Sequence, residues 1–120
     1  MKRATGRGSA KEGTHHFIVQ RISAVALVFL VPWLVWLLIT LIPADYFTVR
    51  ATLAQPVNAV LLLSLLLMMF WHARLGLQVV IEDYVHKAIP NIIAQLLVWF
   101  ACMLGALISL VAIGRILFAG

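Results

Sequence analysis

The stretch VNAVLLLSLLLMMFWHARLGLQVVIEDYVH, Val57 to His86, decides the fold. From Val57 to Ile81 it is almost unbroken apolar sequence, and it closes on an acid pair and a tyrosine. A helix needs about 20 residues to cross a ~30 Å hydrocarbon layer, and this run is long enough. His72 and Arg74 stand two residues apart inside it, where lipid solvates charge poorly.

Two runs of the same kind flank it, Ile22 to Ile42 and Ile92 to Ile113. Of the 120 residues, 64% are hydrophobic and 11% charged, against about 45–50% and ~25% in soluble domains. A chain so apolar cannot cover itself with a polar surface, so it belongs in a bilayer. Lipid offers no partners to backbone groups, which forces each run into a helix. The first run is too long for the apolar part of a signal peptide, and no small-x-small cleavage site follows it. The expected fold is all-α: three antiparallel transmembrane helices, about 22–42, 57–81 and 92–113, in one domain spanning 15–120. Residues 1–14, rich in Gly, Ser, Lys and Arg, read as a flexible tail. The lone Cys102 lies within an apolar run and excludes an internal disulfide.

Charge sets the expected orientation. Lys2, Arg3, Arg7, Lys11 and Arg21 precede the first span and Lys87 follows the second, whereas Arg50 and Arg115 fall on the other side. That bias places the N-terminus and the 82–91 turn in the cytoplasm of a bacterium, at the inner membrane; a mitochondrial inner membrane is the weaker alternative. The formal charge of +5 is thus a topology signal and not a nucleic-acid surface.

Within the helices, Pro32 should bend the first, and a loop of about a dozen residues should run from Pro43 to Gln55. Pro56 suits the first turn of the second helix, which should stop near His86 or Lys87. Ala101, Gly105 and Ser109 form a stripe of small residues that admits a close neighbour. With Trp33, Trp36, Trp71 and Trp99 inside the spans, the stripe fits either packing within the bundle or further protein and a large flat ligand. The three helices read as part of a larger heteromeric bundle.

At about 100° per residue, Leu65, Met69, Gly76 and Asp83 share the face of His72. Gly76, one turn on, leaves room for a flat macrocycle or a close helix. Imidazole is a common haem-iron ligand, so His72 is either an axial ligand or a neutral histidine bonded to a neighbour. His15, His16 and His86 lie outside the spans. A second axial histidine would therefore have to come from another chain. Arg74 is rotated about 200° from His72 and cannot serve the same face; it reads as snorkelling toward the cytoplasmic headgroups, with pairing to a partner subunit's acid or a haem propionate as the alternative. Arg21, with His15 and His16 before it, could meet haem propionates or lipid phosphates.

Glu82, Asp83 and Tyr84 come where the second helix reaches the interface. Tyr84 reads either as an interfacial aromatic or as part of a quinone pocket, its hydroxyl donating to a carbonyl oxygen with Asp83 as the proton route. Asp83 lies about 16 Å along the helix axis from His72.

The order His72-Ala-Arg-Leu-Gly76, then Asp83-Tyr84-Val-His-Lys87, resembles the small cytochrome b membrane anchors of succinate dehydrogenase, or complex II. The approach His15-His-Phe-Ile-Val-Gln-Arg21-Ile-Ser-Ala is similar to that family as well. The resemblance implies a heterotetramer with a flavoprotein, an iron–sulfur subunit and a second anchor of cytochrome b type. Together they would pass electrons from succinate to ubiquinone, linking the tricarboxylic acid cycle to the respiratory chain. It implies His72 as one axial ligand of a haem b shared with that second anchor, and Tyr84 with Asp83 at ubiquinone. Arg21 and His15, with His16 adjacent, would lie near the propionates. Arg74 departs from the apolar or aromatic residue the family leads one to expect. No nucleotide loop, thiolate cluster or catalytic triad is present, so the chain has no complete active site of its own. The competing readings are a cofactor-free structural or assembly anchor, a fumarate reductase anchor, and a small transporter component. The opposed faces of His72 and Arg74 argue against a shared transport path.

Overall fold

The computed structural model describes the backbone of residues 2–118, and the side chains of residue 15 and of residues 17–118. Four helices follow one another: α1 (Lys2–Leu41), α2 (Tyr46–Ala54), α3 (Pro56–Tyr84) and α4 (Ala88–Phe118). Three carry apolar stretches long enough to span a bilayer, over Phe17–Leu41, Pro56–Tyr84 and Ala88–Phe118. The all-helical architecture with three spans is therefore as expected, and no strand occurs among the described residues.

The helices outrun the apolar segments that mark them. Hydropathy ends where lipid ends, but a helix continues while its backbone bonds continue. α4 starts at Ala88 and takes Pro90 into its first turn, where a missing N–H is harmless. It ends with Arg115 in the last turn, where a cation meets the unpaired carbonyls. α3 stops at Tyr84, slightly before the expected His86 or Lys87, because Val85 turns extended (φ −113°, ψ 101°). Asn91 Nδ2 then donates to the Val85 carbonyl oxygen at 2.9 Å and ties the α3–α4 turn together. The backbone of α1 extends back to Lys2, over the stretch expected to be a tail.

The loop expected between Pro43 and Gln55 is instead largely helix. Asp45 (φ −80°, ψ 173°) caps α2, its Oδ1 accepting from Thr48 N at 3.0 Å. The Thr48 hydroxyl and backbone N–H beside it hold the Asp45 carboxyl below its ordinary value. Asn58 Nδ2 donates to Thr52 O at 2.9 Å, joining the end of α2 to the start of α3. Pro56 occupies the first turn of α3, as expected.

α3 is the central helix, packed against α4 on one side and α1 on the other, while α2 rests on the ends of α3 and α4. At the α3–α4 seam, a Cβ added to Gly105 would sit 2.5 Å from the Phe70 ring, so a larger residue there would force that ring to shift. Ser109 Oγ donates to Gly105 O at 2.8 Å. Gly105 thus uses the small-residue stripe for packing within the bundle, whereas Ala101 is exposed. The interior is thin: Leu37, Ala59, Leu65, Leu75 and Ile113 are its buried apolar residues. Most large apolar side chains face outward, the pattern of helices whose solvent is lipid or further protein.

Candidate functional site

α3 is continuous from Pro56 to Tyr84, so His72 is carried on an unbroken helix, and it is half-buried at the α1–α3 seam. Its Nδ1 lies 3.0 Å from Ser23 Oγ on α1. Ser23 is the buried polar residue of the bundle, 1% exposed, and its Oγ donates to Gln20 O at 2.8 Å. Nε2 of His72 makes no hydrogen bond with the described residues. One turn further along the same face, a Cβ added to Gly76 would meet nothing within 4 Å. The imidazole is therefore anchored through one nitrogen, with open space beside the helix on the face it shares with Gly76.

No group of three or more His, Cys, Asp or Glu side chains converges among the described residues. A metal ion at His72 would consequently need its other ligands from outside the described residues. A flat group that already supplies most of its own ligands fits a lone imidazole with a free nitrogen and room alongside.

Arg74 belongs to the other seam. Its guanidinium carbon lies 4.7 Å from the centroid of the Trp71 ring, and its Nε is buried without a hydrogen-bond partner. The side chain leans over the preceding turn, as helix geometry favours. Arg74 also borders the cleft that holds Gln78 and Glu82, toward the Tyr84 end. Two clefts meet at Arg74 and Trp99: an apolar one of about 300 Å³ bordered by Phe70, Met103 and Ala106, and a more polar one of about 630 Å³ bordered by Gln78, Asn91 and Gln95.

The remaining candidates gather at one end of the bundle. Tyr84 is 80% exposed and Asp83 is exposed, and neither hydrogen-bonds to a described residue. Glu82 instead accepts weakly from Gln78 Nε2 at 3.4 Å. Because α1 and α3 are antiparallel and touch at Ser23 and His72, residues before Ser23 lie toward the Tyr84 end. At 1.5 Å per residue, Arg21 is roughly 3 Å and His15 roughly 12 Å nearer that end than Ser23. Arg21 is exposed, its guanidinium carbon 4.8 Å from the Phe17 ring centroid, and His15 is exposed. The side chain of His16 lies outside the described residues. Tyr84 stands roughly 18 Å along the axis from His72, so the two are not in contact.

Ser23 and Gln20 fall within the 15–24 stretch that resembles the family, but nothing in the sequence ties them to His72. A hydroxyl in an apolar run usually bonds back to its own helix, and its second contact is visible only once the register of α1 against α3 is known.

The family model for the succinate dehydrogenase/fumarate reductase transmembrane subunit matches residues 1–112 of the 120. The chain belongs to that family. Its relatives carry the name succinate dehydrogenase hydrophobic membrane anchor subunit. The Rickettsia bellii protein is 40% identical over 69% of this chain and 66% of its own length. The Rickettsia typhi protein is 34% identical over 88% of this chain and 84% of its own, and the Rickettsia prowazekii protein 32% identical over 92% and 89%. No solved structure matches the chain. As a member of the succinate dehydrogenase/fumarate reductase transmembrane-subunit family with three apolar helices, the chain is a multi-pass membrane protein and an anchor.

Proposed function

We propose that this chain is the small membrane anchor of a succinate:ubiquinone oxidoreductase and that His72 supplies one axial ligand to a haem b shared with a second anchor of cytochrome b type. The observation that carries the reading is the His72 imidazole, fixed through Nδ1 by Ser23 while Nε2 has no hydrogen-bond partner among the described residues. A solitary, half-buried imidazole beside open space at Gly76 suits a macrocycle whose own nitrogens complete most of the coordination. Haem, when bound, supplies a one-electron carrier at mid-membrane. The residues of the chain would hold it in place: Met69, exposed on the same face of α3, would shield it from water, and Arg21 and His15, with His16 adjacent, would offer cationic donors to the propionates.

At the far end of α3, Tyr84 donates its hydroxyl to a quinone carbonyl oxygen, and Asp83 passes protons from the interface. Both side chains are exposed and without a hydrogen-bond partner among the described residues, which leaves them available to a ligand or to the iron–sulfur subunit. The dehydrogenase chemistry belongs to the flavoprotein and iron–sulfur subunits. We further propose that residues 1–14 form a basic cytoplasmic tail and that the complex sits in a bacterial inner membrane.

The test is an optical spectrum with subunit analysis of the detergent-extracted native complex. A low-spin haem b band co-purifying with the flavoprotein and iron–sulfur subunits is expected. A complete complex with no haem band would reduce the chain to a cofactor-free anchor, and turnover favouring fumarate reduction would assign it to a fumarate reductase.

A further inference from the structure

We propose that Ser23 is a positioning residue for His72: its hydroxyl holds the proton on Nδ1, presents Nε2 as the coordinating nitrogen, and fixes the plane of the ring. The inference rests on the haem reading for its consequence, but its geometry stands on two distances. Ser23 Oγ is 2.8 Å from Gln20 O and 3.0 Å from His72 Nδ1. A hydroxyl has one proton to give. Two oxygens 2.8 Å apart with no proton between them repel, so that proton lies toward Gln20 O. The contact to His72 then needs a proton from the imidazole, and Nδ1–H must donate to Oγ. A neutral imidazole carries a single N–H, so Nε2 is left with its lone pair. Ser23 is 1% exposed, and no water competes for either bond.

The relay runs from imidazole to hydroxyl to helix carbonyl and crosses from α3 to α1. It makes the coordinating face of α3 depend on the register of α1. A ring nitrogen that donates to an acceptor makes the opposite nitrogen a stronger electron donor, and partners of this kind typically change metal affinity about 10–100-fold when removed. A stronger donor favours ferric over ferrous iron. Loss of the Ser23 hydroxyl should therefore raise the haem midpoint potential and loosen the ring plane.

The test uses the purified whole complex with Ser23→Ala, Ser23→Thr, Ser23→Cys and His72→Tyr, followed by redox titration and low-temperature electron paramagnetic resonance of the haem. Ser23→Ala should shift the midpoint potential upward, change the g anisotropy and lower haem occupancy. Ser23→Thr, which keeps the hydroxyl, should restore all three. If Ser23→Ala fails to assemble, Ser23→Cys, of similar size with a poor acceptor, should show the same upward shift. A wild-type potential and signature in Ser23→Ala or Ser23→Cys overturns the inference, as does a shift that Ser23→Thr does not restore. His72→Tyr separates the two claims. If it changes the spectrum while Ser23→Ala does not, the relay fails and the ligand stands; if neither variant moves the haem, the ligand reading fails first.

Discussion

The two seams of α3 meet the same problem, a polar group within an apolar bundle, in opposite ways. On the α1 side, His72 Nδ1 is satisfied across the seam by a buried serine, and the other nitrogen has no partner among the described residues. On the α4 side, Arg74 Nε is buried with no acceptor, and the guanidinium rests on Trp71 between two clefts. Space is distributed just as unevenly. Gly105 on α4 is filled to contact by Phe70, while Gly76 on the His72 face has nothing within 4 Å. The α3–α4 seam is thus closed at Gly105 and open in the two clefts at Arg74, while the α1–α3 seam has room beside Gly76. The proposed haem site rests on the α1–α3 seam, where one polar group is fixed and there is room alongside. The polar cleft at Arg74 is lined by Gln78 and Glu82, bonded to each other, and by Asn91, bonded to the Val85 carbonyl.

The largest expected effect breaks the packed seam. Gly105→Leu drives a side chain into the Phe70 ring, and overpacking of this kind costs about 1–3 kcal/mol or more. Separation of α3 from α4 should remove the anchor from the membrane, seen as loss of the chain on immunoblots of membrane fractions. Gly76→Leu supplies the contrast. With nothing in the chain to strike, it should leave the anchor at normal abundance and deplete the haem measured by pyridine haemochrome. Equal loss of the anchor in both variants would erase the difference between the seams.

A smaller change is expected at the end of α3. Tyr84→Phe removes one hydrogen-bond donor, worth roughly tenfold or more in rate when it serves proton-coupled reduction. Quinone reduction should fall while succinate oxidation by a soluble dye persists; parallel loss of both would mark Tyr84 as an assembly contact. Smallest of all is Arg74→Leu. It relieves a buried unpaired nitrogen, which costs about 1–3 kcal/mol, and gives up a cation–π contact worth about 0.5–2 kcal/mol. The two nearly cancel. The melting temperature of the complex should move by only a few degrees, and the haem spectrum should not move.

How far the sequence discloses this arrangement differs from residue to residue. The spans are legible because length and hydropathy suffice to find them, but their ends are not, since Ala88 to Asn91 stays helical beyond the apolar run. α2 reads as loop although Asp45 and Thr48 carry a capping signal; nine residues are marginal as a helix until they pack on α3 and α4. His72 is conspicuous as the one imidazole at depth. Ser23 is not, because its contact with His72 requires the register between α1 and α3, which periodicity within one helix cannot give. Helical spacing puts Arg74 on the correct face, away from His72, but its lean toward Trp71 depends on a rotamer the sequence does not encode by itself.

The most direct measurement compares the optical spectrum and haem midpoint potential of the purified complex with and without His72→Tyr. If the His72 ring reaches iron, both change while the flavoprotein and iron–sulfur subunits stay assembled. A haem b band of unaltered position and potential in that variant would contradict the account and leave α3 a purely structural helix.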